Sequence, residues 1–277
     1  MKRAEYENYD ETFRNYDTTR IPVGLEILLG FFASIPRPLN EQKILDLGCG
    51  TGNYIEALKD RIGHLHGLEI TEGMLSKARQ KLGNHSNISL TQGNLLDPLP
   101  YGDNRFDGVM CNQVLHHLVT DSHRQTFSEV RPVIEETHRV LRSPGVLAIN
   151  TSSHHQLFHG FWWADLIPEA VDRISRRFPP IEFIQSILQK TGFRAAGIVV
   201  PIDAVLQAGN YLDPMGPVKK RFRDGDSTWS LATKEELQRA CERVRTMNEH
   251  HKMEDYMKAR ERLRANTGQT TFIFAHK

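Results

Sequence analysis

Ile44-Leu45-Asp46-Leu47-Gly48-Cys49-Gly50-Thr51-Gly52 is the stretch on which the fold turns. Lys43 to Leu47 reads as a short buried strand. It runs directly into a turn with glycine at every second position, and a helix from about Asn53 to Arg61 follows. Glycine permits backbone angles closed to other residues and leaves no Cβ to block a ligand. The turn lies at the carboxyl end of its strand, where open α/β sheets bind their ligands.

Two ligand classes use such a turn. Dinucleotide binders place glycine at the first, third and sixth positions. Here the glycines take the first, third and fifth positions, and the sixth is Asn53. Asp46, two residues before the first glycine, adds negative charge beside the turn. That charge repels a pyrophosphate and attracts a ligand carrying an ammonium and a sulfonium.

Asp46 to Gly52 resembles the first motif of the class I S-adenosylmethionine-dependent methyltransferases, in their small-molecule type 11/25 form. The resemblance implies S-adenosyl-L-methionine as cofactor and S-adenosyl-L-homocysteine as product. Around the turn it makes Asp46, Gly48, Cys49, Gly50, Asn53, Ile70 and Met74 cofactor contacts. Glu69 ends the second strand about 20 residues beyond the glycines, the distance at which a carboxylate accepts from both ribose hydroxyls. Gln92-Gly93-Asn94-Leu95 follows the third strand. The family often has an acid at Asn94. Its amide still offers an acceptor and a donor to adenine, with Gly93 alongside and Leu95 packed on the purine or in the core. Phe106 to Leu118 resembles the family's fourth-strand segment. It places Asn112, Gln113, Val114 and His117 beside the cofactor, with Asp107 positioning the strand start. Glu136 to Leu141 before Ser143-Pro144-Gly145 also matches. The likeness covers Lys43 to Thr151 well and Ile181 to Lys277 loosely.

Outward from the turn, strands at His64–Ile70, Ile88–Gln92, Phe106–Cys111 and Val146–Asn150 alternate with helices at Thr71–Leu82 and Ser122–Leu141, the latter kinked or broken at Pro132. Alternation implies right-handed crossovers and a mostly parallel sheet. The expected fold is α/β: a Rossmann-like, seven-stranded sheet with helices on both faces. Its last strand, Gln269–His276, is antiparallel, as the resemblance implies. Residues 1–40 are read as an N-terminal lid with a helix from Pro22 to about Ser34, and 41–277 as the methyltransferase domain. Insertions at about 154–180 and 201–232 cover the substrate. A long helical region runs from Thr233 to about Arg264. Tyr6, Tyr9, Phe13 and Tyr16 punctuate the polar N-terminus, and Tyr16 and Arg20 are its expected cofactor contacts.

The chain has 277 residues, 39% hydrophobic and 25% charged, which suits one domain with insertions. Its 35 basic and 34 acidic residues give a net charge of +1, which excludes nucleic acid as the main partner. Cys49, Cys111 and Cys241 are scattered and odd in number, against a disulfide framework and in keeping with a cytoplasmic protein. Met1–Asp10 lacks the apolar stretch of a signal peptide, and Gly24–Ile35 is too short to span a bilayer. The expected partner is a small-molecule methyl acceptor, and the chain is read as a monomer or homodimer.

Methyl transfer from a sulfonium draws much of its rate from positioning. It needs a base only where the acceptor must lose a proton. His116, His117, His154, His155 and His159 follow the fourth and fifth strands and face the ligand side, with His117 and His154 preferred as base. Adjacent histidines point apart and chelate poorly, so no metal is expected. Phe158, Phe161, Trp162 and Trp163 form either a cage for a cationic amine or a helix packed on the sheet. The leading activity is methyl transfer to oxygen, nitrogen or sulfur of a metabolite. Rivals are a carbon methyltransferase of quinone type, a non-catalytic S-adenosylmethionine binder and a nicotinamide oxidoreductase.

Overall fold

Strands β1 (Lys43–Leu47), β2 (His64–Glu69) and β4 (Phe106–Asn112) are buried along nearly their whole length. A sheet covered on both faces requires this. With β3 (Ile88–Gln92), β5 (Leu141–Thr151), β6 (Arg194–Val199) and β7 (Thr271–His276) they make one seven-stranded sheet, ordered β3-β2-β1-β4-β5-β7-β6. This computed structural model describes residues 20–120 and 126–277. β1 pairs in parallel with β2 and β4, and β4 with β5, whereas β7 runs antiparallel to both β5 and β6. The order reverses between β1 and β4, so the crevice for a ligand opens at the end of β1.

The strand period of two splits each strand between two cores. Leu45, Leu47, Val109 and Ile149 join one cluster, while Ile44, Met110 and Ala148 join the other. Helix α1 (Leu25–Ala33) packs Leu28 and Phe32 into the second cluster with Ile55 and Leu58 of α2 (Asn53–Leu58). α1 is therefore a covering layer of the sheet. Residues 1–19, the rest of the expected lid or helical segment, lie outside the described residues. α3 (Glu72–Leu82) links β2 to β3, and a short α4 (Leu115–Leu118) follows β4. α5 (Val130–Val140) carries Pro132 in its first turn, where a missing N–H costs nothing. Residues 121–125 of the helix expected from Ser122, kinked or broken at Pro132, lie outside the described residues.

A third cluster lies apart from the sheet. It gathers residues of α6 (His154–His159) and α7 (Pro168–Ser175), and, beyond α8 (Ile181–Thr191) and β6, Leu206, Tyr211, Phe222 of α9 (Lys220–Arg223) and Trp229 of α10 (Ser227–Ser230). Ala240 and Val244 of α11 (Lys234–Glu249) and Met253 of α12 (Met253–Thr267) complete it. The two expected insertions thus form one cap, and the helices before β7 belong to it. The long helix expected from Thr233 is two, separated at His251, whose φ is 55°. Among the described residues, no helix is long and apolar enough to cross a membrane.

Candidate active site

The glycine turn is built to bend without side chains. Gly48, Gly50 and Gly52 have φ of 71°, 56° and 81°. At Gly48 a Cβ would sit 2.7 Å from Val114 Cγ2, so the end of β4 closes directly on the turn. The Gly48 and Cys49 amides both donate to the Leu68 carbonyl, at 2.8 and 3.0 Å, tying the turn to β2. Glu69 Oε2 accepts from the Gly50 amide at 3.0 Å, and its Oε1 accepts from Thr71 N at 2.8 Å. One carboxylate thus fixes both the turn and the start of α3.

Asp46 is 2% exposed at the end of β1. Burial pushes its carboxyl up to about 8, and the charge of Glu69 adds to the rise. The neighbouring Asn112 amide acts the other way without completing a hydrogen bond. Both Asn112 Oδ1 and Nδ2 are buried and have no partner among the described residues. A buried acid beside an unpartnered amide is stabilised by a ligand that brings positive charge and hydrogen-bonding groups.

A cleft of about 1160 Å³, including its open mouth, runs from this turn to the cap. Arg20, Ile21 and Pro22 cross it. Tyr54 Oη holds that segment, donating to the Val23 carbonyl at 3.1 Å and accepting from Val23 N at 3.2 Å. Asn53 Nδ2 donates to the Arg20 carbonyl at 3.3 Å, and the Arg20 guanidinium pairs with buried Asp226 of the cap at 3.2 Å. The turn, the crossing segment and the cap are therefore linked in series.

Residues 45–149 match the profile of a methyltransferase domain family. A biotin biosynthesis bifunctional protein of Teredinibacter turnerae is 32% identical over 167 residues, 55% of this chain and 26% of that one. A demethylmenaquinone methyltransferase of Geobacillus stearothermophilus is 26% identical over 225 residues, 72% of this chain and 92% of that one. The chain thus spans about a quarter of the first relative and most of the second. A solved protein of Anabaena variabilis, ascribed to methyl transfer in an antibiotic biosynthesis pathway, superposes with a TM-score of 0.73 at 20% identity. The match covers 93% of this chain and 99% of that one. Residues 45–149 form a class I S-adenosylmethionine-dependent methyltransferase domain. Its cofactor is S-adenosylmethionine, and the carboxylates, the Asn112 amide and the glycine cradle fit that cation.

Arg20, Asp46, Gly48, Cys49, Gly50, Asn53, Asn112, Gln113 and His117 of the expected site line the cleft. Glu69 reaches the turn from behind, Val114 packs on Gly48, and buried Met74 places its sulfur 3.7 Å from where a Gly50 Cβ would stand. Ile70, Gly93, Asn94 and Leu95 lie outside the cleft lining. Asn94 Oδ1 already accepts from Leu96 N at 3.1 Å, and Leu95 packs in a sheet core with Leu47 and Leu68. Gln113, at φ 56°, spends its amide on Asn150 Oδ1 and Thr270 Oγ1, both at 2.9 Å. It braces β4 to β5 and the start of β7. Tyr16 lies outside the described residues.

The histidines separate. His117 is half-buried and lines the cleft; burial first, then the Arg20 and Arg177 charges, push it down to about 3. His154 is exposed and donates Nε2–H to the Phe178 carbonyl at 2.9 Å, outside the cleft. Its expected role as base is therefore corrected: its ring positions the Phe178 backbone. His155 and His159 pair with each other, ring centroids 4.6 Å apart. Trp162 is fully buried and donates to the Tyr211 carbonyl at 2.5 Å, while Phe161 and Trp163 line the cleft. Tyr54, Asp226 and Phe178 escaped the sequence reading; none carries a motif, and each acts through a contact distant in the chain.

Proposed function

We propose that the chain transfers the methyl group of S-adenosylmethionine to oxygen, nitrogen or sulfur of a small molecule with a largely apolar body. The observation that carries this reading is the cap side of the cleft, lined by Leu157, Phe161, Trp163, Ile174, Phe178 and Leu206. Such walls bind an apolar body and leave specificity to a few polar groups. Bound there, S-adenosylmethionine supplies an electrophilic methyl on a sulfonium. Asp46 would face the cation's positive charge, the Asn112 amide would meet its polar end, and Glu69 would accept from the ribose hydroxyls. The Arg20–Asp226 pair holds the cap against the crossing segment. The remaining task is to hold the acceptor in line with the methyl, which supplies a large share of the rate.

A second reading, carbon methylation of a quinone-type ring, is favoured by the curated relatives named demethylmenaquinone methyltransferase. Full-length protein incubated with S-adenosylmethionine and a panel of small apolar acceptors tests both. Nuclear magnetic resonance of the product distinguishes a heteroatom-bound methyl from a carbon-bound one. Calorimetric binding of S-adenosylmethionine without methyl release across the panel indicates a binding-only protein. Preference for a nicotinamide dinucleotide in the same calorimeter overturns both readings.

A further inference from the structure

The cleft opens at the carboxyl ends of the parallel strands, and the opposite end of the sheet carries a different chemistry. One basic residue stands there on each of five neighbouring strands. Lys43 opens β1, Arg105 precedes β4, Arg142 is the second residue of β5, Lys277 follows β7 and Arg194 opens β6. Because β7 is antiparallel, its last residues share this end with the first residues of its neighbours, and His276 pairs with both Val146 and Arg194. Neighbouring strands lie about 4.8 Å apart, so the row is about 19 Å long.

Few acids answer these cations. Arg37 and Arg142 share Oδ1 of buried Asp107, at 3.1 and 2.8 Å, and Asp103 is taken by Arg139 at 2.8 Å. Lys277 Nζ donates to uncharged oxygens of Asn104, His138 and Leu141. Among the described residues, the Lys43 and Arg105 side chains have neither an ion pair nor a hydrogen bond. Their field reaches the next strand. Burial first, then the charges of Lys43 and Arg105, lower His64; burial first, then His64, Arg105 and Lys43, push His66 down to about 4.

We propose that this row docks an acidic segment of a protein partner, extended across the strand ends with its carboxylates on the guanidinium and ammonium groups. The rim already shows that chemistry on its own Asp107, which two guanidiniums and the Lys43 amide hold together. A planar guanidinium matches a carboxylate better than an ammonium does. An extended segment of about six residues covers the row. A single-stranded nucleic acid stacks its bases on aromatic rings, and a lipid surface takes up apolar side chains. Among the described residues, no exposed aromatic or large apolar side chain stands at these strand ends. Contact by charge alone makes the complex sensitive to salt. The row points away from the cleft, so a docked partner leaves the cleft open.

The test uses the full chain and fluorescein-labelled decaglutamate, followed by anisotropy at low and at high ionic strength. Oligothymidylate of equal charge and vesicles of phosphatidylcholine with phosphatidylserine compete with the peptide. The peptide is expected to bind at low ionic strength, to weaken about tenfold or more at high, and to resist both competitors. Lys43→Gln with Arg105→Gln removes the two unanswered cations and breaks no hydrogen bond of the fold. This pair should weaken peptide binding about tenfold or more and leave the S-adenosylmethionine dissociation constant unchanged. Lys220→Gln with Lys258→Gln removes as much charge from lysines already paired with Asp224 and Glu254, and should leave peptide binding as it was. Absence of peptide binding at low ionic strength overturns the proposal. So does equal weakening in the two double variants, or tighter binding of oligothymidylate or vesicles. If the first variant does not fold, hydrogen exchange of the wild type decides. Protection by decaglutamate at residues 103–107, 141–145 and 275–277 supports the row, and none there overturns it.

Discussion

Glu69 and Gly50 meet at the end of the sheet, where the carboxylate accepts the glycine amide at 3.0 Å. The same side chain accepts from Thr71 N. A residue expected to bind ribose is also the clamp that shapes the turn. Glu69→Gln keeps the volume but turns one acceptor oxygen into a donor that faces an amide. S-adenosylmethionine binding is expected to weaken by about tenfold or more, with the Tm of the cofactor-free protein falling by only a few degrees. Calorimetry and thermal melting check this; equal affinity would leave Glu69 with the scaffold alone.

Gly48→Ala introduces a Cβ 2.7 Å from Val114 Cγ2 at a φ of 71°. The expected cost is about 1–3 kcal/mol of stability, together with loss of cofactor binding. Adding Val114→Ala relieves the contact but not the backbone strain, so denaturant melts of the double variant should recover only part of the loss. Full recovery would assign the whole cost to the clash.

The pH profile of the cofactor-free protein follows from its buried acid and its histidines. Asp46 rises from 3.8 to about 8 in the fold. Between those values the folded state holds a proton that the unfolded chain has released, so stability falls as pH rises toward 8. His66 and His117 drop from 6.5 to about 4 and about 3. Their contribution is present above 6.5 and is lost as pH falls through that range. Tm is therefore expected to peak near about pH 6.5, and Asp46→Asn should flatten the alkaline limb. S-adenosylmethionine affinity should rise through the alkaline window as the carboxylate ionises. A wild-type Tm that climbs from about pH 6.5 to 8 contradicts the assignment.

Trp162 is fully buried in the cap and donates to the Tyr211 carbonyl. Trp162→Ala is expected to cost about 3–5 kcal/mol, concentrated in the cap cluster. Hydrogen exchange should quicken across residues 154–180 and 201–267 and stay slow in the sheet. Uniform acceleration would show that cap and sheet melt as one unit.

The sheet and the cofactor half were legible because both rest on local patterns. Apolar runs between helical stretches marked the strands, and the alternating glycines after Asp46 marked the turn. The acceptor half was not, because its contacts join residues far apart in the chain. Arg20 reaches Asp226 across 206 positions, and Trp162 finds Tyr211 49 residues on. His154 was misread because a histidine after a strand says nothing of its rotamer; the Phe178 carbonyl decides it. Pro132 was read as a kink or a break; it stands in the first turn of α5, because helix starts and interiors look alike in sequence until the first turn is located.

The excursions that build the cap leave and rejoin the sheet through β5, β6 and β7, three strands that are neighbours at one edge. The glycine turn sits across the sheet, on β1. Mutational drift in the excursions meets the nucleoside cradle through the Arg20 segment, which Asp226 of the cap and Asn53 of the turn both hold. A lineage built on this plan is free to exchange one acceptor for another while inheriting its methyl donor intact.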